Sequence, residues 1–161
     1  MKIYNEIETN EKNLKPGEII AGKVKSIQPY GAFIELDNGK TGLAYIEDLS
    51  VCRIRTPKER LKIGQNINFM VKSIGMDGKI TLSYKEMLGT WEENISKFQV
   101  GTKVKGIIRE REKNKNGIFI ELTPNLVGMA EYTEKYDYGQ EIDVYIKKII
   151  PEKKKVKLEI I

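Results

Sequence analysis

Short stretches of alternating apolar and polar residues recur along the chain, and glycine, proline or asparagine separates them. Alternation with a period of two is typical of half-buried β-strands, whose successive side chains point to opposite faces. In the first half of the chain this pattern predicts strands near residues 18–28, 31–37, 41–46, 66–74 and 79–83. The dipeptides Asn38-Gly39 and Asp77-Gly78 predict tight turns between strands. Thr56 followed by Pro57 predicts one helical turn after the third strand.

The strand pattern of the first half returns in the second half. Gly31–Leu36 reads GAFIEL and Gly117–Leu122 reads GIFIEL, with further matches on either side. A repeated pattern separated by loops of changing length indicates two copies of one structural unit. Five short strands with one helical turn are typical of a small closed β-barrel of the OB type. We therefore predict an all-β chain of two five-stranded OB-type barrels in tandem, joined by a short helical linker.

The repeat also predicts the division of the chain. We expect a polar N-terminal arm at residues 1–14, the first barrel at 15–84, the linker at 85–98 and the second barrel at 99–161. Within the linker, Thr90 and Glu93 have the spacing of a capping box. Trp91, Ile95 and Phe98 fall on one face of a short helix. That face is predicted to pack on one or both barrels.

Each copy of the repeat places an aromatic ring on the outer face of its second strand. In the first copy Ala32, Ile34 and Leu36 form the inward set, so Phe33 and Glu35 face outward. In the second copy Ile118, Ile120 and Leu122 are predicted to lie inside, and Phe119 and Glu121 outside. A barrel that needs only stability gains little from a ring that faces water. The two phenylalanines are therefore candidates for ligand contact.

More candidate residues lie near Phe33. An OB-type barrel binds oligonucleotides on its second and third strands and in the loops that join strands 1–2 and 4–5. Tyr30 belongs to the first of these loops, Tyr45 to the third strand, and Lys79 follows the last turn. Aromatic rings stack on nucleobases, and basic side chains neutralise phosphates. The predicted phosphate contacts of the first copy are Lys23, Lys25, Arg53, Arg55 and Lys72.

Composition permits this interpretation and excludes several others. The net charge is +5, and the excess lies in the two repeats: 11 basic against 7 acidic residues at 15–84, and 13 against 10 at 99–161. The chain has no histidine, which removes imidazole bases and His-ligated zinc, and one cysteine, which removes a thiolate zinc site. No phosphate-binding GxxxxGK[ST] loop occurs. We predict no catalytic residue, no metal site and no cofactor.

The same features bear on location. The single cysteine, Cys52, forms no intrachain disulfide and suits a reducing compartment. Neither a signal peptide nor an apolar run long enough to span a membrane is evident. The expected location is cytoplasmic, without a membrane partner.

Two segments of the first copy, GKVKSIQPYGAFIELDNGKTGLAYIEDLS and GKITLSYKE, resemble the S1-type RNA-binding domain. This domain is the repeated unit of a large protein of the bacterial small ribosomal subunit. The resemblance implies RNA-facing aromatics at Tyr30 and Phe33 and a basic contact at Lys79. Tyr45 stands where the family has a histidine. Gly75 stands where the family has an acidic residue, which departs from the pattern.

The resemblance is looser in the second copy. Phe119 and Lys155 keep the aromatic and basic positions, but Asn116 replaces the first aromatic and Glu131 the third-strand residue. This copy is expected to bind RNA weakly or to serve as a spacer or protein-docking surface. Its enlarged first loop brings further basic residues that can reach phosphate: Arg109, Arg111, Lys113 and Lys115.

The predicted function is non-catalytic binding of single-stranded RNA, in translation or RNA metabolism. Single-stranded DNA is the alternative ligand. A ribosome or an RNA-processing complex is the implied wider partner. The rival prediction is an adaptor whose barrels dock such a complex with little direct contact to nucleic acid. Tyr30 and Phe33 would then pack against protein. The run Lys153–Lys155 is either a solvated turn or a phosphate contact.

Overall fold

A computed structural model of the chain describes residues 14–112 and 114–161. The chain divides into two compact units. The first comprises the described residues up to Leu49 and resumes over Arg55–Met87, and the second comprises Ser50–Ile54 and Leu88–Ile161. The predicted N-terminal arm lies outside the described residues except for Leu14.

The first unit is a closed five-stranded barrel. Its strands are β1 (Ile19–Gln28), β2 (Gly31–Leu36), β3 (Thr41–Tyr45), β4 (Asn66–Ile74) and β5 (Ile80–Ser83). They follow one another around the barrel as β1-β2-β3-β5-β4, and only the β3–β5 pair is parallel. Every strand end lies within one residue of the bounds predicted from alternation.

The inward set of the first barrel is the predicted one. Ala32 and Ile34 are 0% exposed, and Leu36 is 2% exposed. They pack among residues of the other strands and of the β3–β4 connection, which include Val24, Ala44, Leu49, Leu61, Phe69, Val71 and Leu82. Removing this apolar surface from water is the main driving force for closing so small a barrel.

The predicted turns also form. Gly39 and Gly78 adopt φ of +82° and +83°, a conformation that glycine enters without a Cβ penalty. Residues Pro57–Glu59 form a 3₁₀ turn, and Thr56 caps it in a capping box with Glu59. The helical turn predicted from Thr56 and Pro57 is thus confirmed.

The second unit is a second closed barrel preceded by the linker helix, Trp91–Ile95. Its strands are β6 (Lys103–Arg111), β7 (Ile118–Thr123), β8 (Leu126–Ala130), β9 (Glu141–Ile150) and β10 (Lys155–Ile160), in the order β10-β8-β7-β6-β9. Thr90 and Glu93 form the predicted capping box. Trp91, Ile95 and Phe98 pack against the core of this barrel. The predicted fold class, two five-stranded barrels with a short helix between them, is confirmed.

One side chain of the second barrel differs from prediction. Glu121 was expected to face water, but it is 4% exposed. Its Oε2 lies 3.3 Å from Nη2 of Arg109, and its Oε1 accepts a hydrogen bond from Sγ of Cys52 at 3.0 Å. The prediction was wrong because the outer face is covered here by a buried arginine and by the segment Ser50–Ile54.

Arg109 and Arg111, predicted to lie in the enlarged first loop of the second copy, lie instead on β6 and have internal partners. Arg109 is buried, and Arg111 donates to the backbone oxygens of Thr133 and Tyr136. These two arginines therefore hold the barrel and its β8–β9 loop together. Lys113, the third predicted basic residue, lies outside the described residues.

Candidate nucleic-acid interface

Strands β2 and β3 approach each other closely at the end where Tyr30 and Tyr45 lie. Gly31 pairs with Tyr45 across the two strands, and a Cβ on Gly31 would lie 2.3 Å from the backbone oxygen of Ala44. Only glycine fits at this distance. Tyr30 immediately precedes β2 and accepts a backbone hydrogen bond from Ile46 at 2.9 Å. Tyr30 and Tyr45 are thus fixed at adjoining strand ends.

Tyr30 and Phe33 form an aromatic pair. Their ring centroids lie 6.3 Å apart with the planes at 89°, an edge-to-face arrangement. Such geometry is preferred because the positive ring edge meets the negative ring face. Tyr30 remains 49% exposed and Phe33 is half-buried. The pair therefore presents aromatic surface to solvent in a defined orientation.

An apolar floor continues from Phe33 across the outer face. Phe33 pairs with Leu43 on β3, and Leu43 pairs with Thr81 on β5. Leu43 points outward, in phase with Tyr45, yet it is only 7% exposed. The sequence prediction did not name Leu43 or Thr81 as part of this face. The alternation of β3 contained the signal, because a leucine in phase with an outward tyrosine lies on the outer side of the strand.

Lys79 joins the aromatic cluster through Tyr45. Its Nζ donates a hydrogen bond to the Tyr45 hydroxyl at 2.8 Å and lies 5.4 Å from the ring centroid. This hydrogen bond, with the electrostatic attraction of Tyr45, raises the pKa of Lys79 above the ordinary lysine value. The backbone N–H of Lys79 donates a hydrogen bond to Oδ1 of Asp77 at 3.0 Å. The face therefore places a permanent cation beside an aromatic ring.

We name this surface the aromatic face: Tyr30, Phe33, Leu43, Tyr45 and Lys79. The structure brings together all four candidates that the sequence placed here. It combines stacking surface, an apolar floor and one cation on the outside of β2, β3 and β5, which is the chemistry that an unpaired nucleotide requires.

The remaining basic candidates of the first copy differ in their surroundings. Lys23 and Lys25 are exposed on β1, where Lys23 pairs with Glu35 across the strands. Arg53 is exposed but belongs to the second unit. Arg55 is exposed, and its backbone N–H donates to the Glu59 carboxylate.

Lys72 has an internal partner. Its Nζ lies 2.8 Å from Oδ2 of Asp48, a residue 3% exposed, and this hydrogen bond raises the pKa of Lys72. Lys85 lies on the other oxygen of the same carboxylate, at 3.6 Å. Lys72 thus neutralises a buried charge, so any phosphate contact would compete with Asp48.

The equivalent face of the second barrel retains one ring. Phe119 on β7 is half-buried and pairs with Met129 on β8. Glu131, at the position of Tyr45, and Asn116, at the position of Tyr30, are both exposed. Lys155 opens β10 and is exposed. This face therefore lacks the cluster of rings found in the first barrel.

Other kinds of site are not evident in the described part of the chain. Residues 14–112 and 114–161 contain no group of three or more His, Cys, Asp or Glu side chains arranged to hold a metal ion. None of the helices formed by these residues has the length and apolar character needed to cross a membrane.

Comparison with known proteins agrees with the geometry of the first barrel. The family model described as S1 RNA binding domain matches residues 13–85. The chain is 33% identical over 162 residues to small ribosomal subunit protein bS1 of Staphylococcus aureus (strain MRSA252). This alignment covers 92% of the chain and 41% of that relative. For the protein of the same name from Rhizobium meliloti (strain 1021), identity is 29% over 161 residues, covering 91% of the chain and 28% of the relative.

A similar solved structure is that of GSP13 from Bacillus subtilis, with 30% identity and a TM-score of 0.45, covering 47% of this chain and 59% of that one. The chain spans less than half the length of the two bS1 relatives. Residues 13–85 match the model of the S1 RNA-binding domain family, and most of the chain is similar to part of small ribosomal subunit protein bS1.

Proposed function

We propose that the chain binds single-stranded RNA without catalysing a reaction, and that the aromatic face is the main contact surface. The observation that supports this proposal most strongly is the exposed edge-to-face pair of Tyr30 and Phe33 beside the Lys79–Tyr45 contact. Flat rings held in fixed orientations accept unpaired bases with little loss of side-chain entropy.

Stacking supplies affinity with little sequence preference. Each base that stacks on an aromatic ring contributes about 1–3 kcal/mol. Leu43 is only 7% exposed and adds little accessible surface of its own, so the stacking surface is that of the rings. Tyr30 and Tyr45 lie beside Phe33 on adjoining strand ends. We infer that two neighbouring bases occupy the aromatic face.

Cations supply the salt-dependent part of the affinity. Lys79 stands at the edge of the aromatic face, and Lys23 and Lys25 are exposed on the neighbouring strand β1. Each phosphate neutralised on a single strand contributes about −0.7 to the slope of log affinity against log salt concentration. Arg53, Arg55 and Lys72 stay further candidates for phosphate contact.

The similarity to bS1 supports a role in translation, with ribosomal or messenger RNA as the partner class. A cytoplasmic location is the expectation that accompanies it. Single-stranded DNA offers the same kinds of flat bases and anionic phosphates to rings and cations. We therefore expect RNA and DNA strands of equal length to compete for it.

The test replaces both rings, Tyr30→Ala with Phe33→Ala, and measures affinity for a fluorescent unstructured RNA. The loss of two stacks, about 2 kcal/mol or more in sum, predicts a drop of about 30-fold. Tyr145→Ala is the matched control, because Tyr145 is 44% exposed on β9 of the second barrel. It should bind as the wild type does.

The far-ultraviolet circular dichroism of all variants should be unchanged, because both rings lie outside the barrel core. Undiminished binding by the double variant would remove the aromatic face as the site. Failure of the wild type to bind RNA even at low salt would favour the adaptor instead.

A further inference from the structure

Each barrel has a β-bulge at the same place, and in both barrels the extra residue is a lysine. In the first barrel the register of β4 with β5 shifts at Lys72, the residue after the partner of Leu82. In the second barrel the register of β9 with β10 shifts at Lys147, the residue after the partner of Leu158. A bulge re-aims a side chain and is a designed feature of a fold rather than a defect. Lys72 and Lys147 are therefore counterparts, and their surroundings can be compared directly.

In the first barrel an aspartate pairs with this lysine. Oδ2 of Asp48 lies 2.8 Å from Nζ of Lys72, and Asp48 is 3% exposed. The backbone oxygen of Asp48 also accepts hydrogen bonds from the N–H of Tyr84 at 2.9 Å and from Oγ of Ser83 at 3.3 Å. Ser83 is the last residue of β5, and Tyr84 follows it. One aspartate thus provides an anion for the bulge lysine and an acceptor for the end of the last strand.

The second barrel has no such aspartate. The connection that follows β8, residues 131–140, has 10 residues, whereas the connection that follows β3, residues 46–65, has 20. The shorter connection contains one aspartate, Asp137, which is exposed and does not line the cavity next to Lys147. Among the described residues, Lys147 forms no ion pair. The bulge lysine of the second barrel therefore lacks the carboxylate that its counterpart has.

The strand end differs in the same way. Glu159 and Ile160 are the counterparts of Ser83 and Tyr84, because they follow the core leucine of the last strand. Ser83 is 1% exposed, whereas Glu159 is exposed. No backbone hydrogen bond joins Ile160 to the described residues 131–140, although Tyr84 forms one to the corresponding connection of the first barrel. The end of the second barrel is therefore open between β10 and the β8–β9 connection.

A cavity of about 340 Å³ occupies this opening. Its volume is within the range of ligand pockets, about 300–1,000 Å³. Lys147 and Ile160 line it on the side of the strands, and Tyr132 and Tyr136 line it on the side of the connection. Arg111 donates a hydrogen bond to the backbone oxygen of Tyr136 and so holds the connection in place. The cavity is therefore preformed.

The charge of the cavity favours a single carboxylate over a polyanion. Lys147 and Lys135 are its cations, and Glu131 and Glu159 are its carboxylates. Two glutamates also act electrostatically on Lys72 in the first barrel, yet its ion pair forms. A nucleic-acid strand brings a charge with every phosphate and is repelled by both glutamates of the cavity, whereas an aspartate within a peptide brings one charge.

We propose that this cavity binds an aspartate-bearing segment of a partner protein. The carboxylate of the partner pairs with Lys147, and the backbone oxygen of the same residue accepts a hydrogen bond from the N–H of Ile160. This is the arrangement that Asp48 has in the first barrel. The rings of Tyr132 and Tyr136 pack against the neighbouring residues of the bound segment. The site lies at the end of the second barrel and is independent of the RNA-binding function proposed above.

The chain supplies its own test peptide, because Ile46–Ser50 carries the aspartate of the first barrel. A peptide of this sequence with blocked ends is titrated into the intact chain, and backbone amide shifts are recorded. The control peptide carries Asp48→Asn and keeps the size and shape of the side chain. Saturable shifts are expected at Tyr132, Lys147 and Ile160. The control peptide should bind about tenfold more weakly, because a hydrogen bond to a charged group is stronger than a neutral one.

Two neighbouring lysines provide matched variants. Lys147→Gln removes a cation of the cavity, and Lys148→Gln removes an exposed cation that does not line it. The first variant should bind the aspartate peptide about tenfold more weakly, and the second should bind it as the wild type does. Equal effects of the two variants, equal binding of the two peptides, or no saturable shift at the cavity would each overturn the proposal.

Titration with an oligouridylate distinguishes a protein partner from RNA. Stronger shifts at Tyr132, Lys147 and Ile160 with the oligouridylate than with the aspartate peptide would overturn the assignment to protein. Shifts at Phe33 and Tyr45 alone support the aromatic face, and their absence removes that face without affecting the cavity. The two proposals therefore fail separately.

Discussion

Glu35 and Glu121 occupy the same position of the repeated sequence, but their environments differ. Glu35 is exposed on the first barrel, whereas Glu121 is 4% exposed and paired with Arg109. Arg109 also donates to the hydroxyl of Tyr138 and lies 5.3 Å from its ring centroid. The glutamate at this repeated position is thus solvated in the first copy and part of a buried ionic network in the second.

Replacing Glu121 should therefore cost far more stability than replacing Glu35. Glu121→Ala leaves Arg109 buried without its carboxylate, which costs about 3–5 kcal/mol. Glu35→Ala should change the free energy of unfolding by no more than about 0.5 kcal/mol. Urea denaturation of the two single variants, followed by fluorescence and circular dichroism, measures both. Equal destabilisation would mean that the Arg109–Glu121 pair contributes nothing to the second barrel.

At the residue scale the sequence predicted which side chains of the first barrel lie on its outer face and missed the coverage of single side chains. Tyr30, Phe33, Tyr45 and Lys79 were found because the alternation and the turns place them outside. Burial of Glu121 was not predictable, because it depends on an arginine one strand away and on Cys52, 69 residues earlier. Alternation assigns a side chain to a face but does not say what covers that face.

Among the elements, the linker helix depends most on its ends. Trp91–Ile95 is only five residues long, too short to persist by backbone hydrogen bonding alone. The Thr90 hydroxyl accepts from the N–H of Glu93, and the Glu93 carboxylate accepts from the N–H of Thr90, both at 3.0 Å. This reciprocal cap and the packing of Trp91 on the second barrel hold the helix.

Thr90→Ala should lower the free energy of unfolding of the second unit by about 1 kcal/mol, and Thr90→Ser should restore most of it. The hydrogen bond from the Thr90 N–H lowers the pKa of Glu93, so this part of the cap stabilises at neutral pH. It is lost as the pH falls through the folded-state pKa of Glu93.

Denaturation at neutral and at acidic pH measures this effect. The difference between the wild type and Glu93→Gln, which keeps the Thr90 N–H but has no titrating carboxylate, should be largest at neutral pH and shrink in acid. A difference that grows in acid would contradict the assigned direction of the Glu93 shift.

The elements themselves were predictable because their signals are local. All five strands of the first barrel, the turns at Gly39 and Gly78, the cap at Thr56 and the capping box of Thr90 and Glu93 follow from patterns within a few residues. Assignment of the segment Ser50–Ile54 to the second unit is a long-range property, and no pattern within that segment indicates it. The pairing of Lys148 with Lys157 was also not predicted, because it exists only through the register of β9 and β10.

At the scale of the whole molecule, the chain has two barrels of one fold with different outer faces. The first presents clustered rings with one fixed cation, and the equivalent face of the second presents Phe119 and the paired lysines Lys148 and Lys157. The net charge of +5 is modest, so the proposed affinity for RNA has to come from where the charges and rings lie.

The most direct test of the aromatic face is photo-cross-linking of an iodouridine-substituted RNA to the wild-type chain, with the linked peptide identified by mass spectrometry. Iodouridine links efficiently to an aromatic side chain stacked on it. The main cross-links should fall on Tyr30 or Phe33 and should disappear when unlabelled single-stranded RNA competes for the same site. Cross-links confined to other residues, with Tyr30 and Phe33 unmodified, would contradict it.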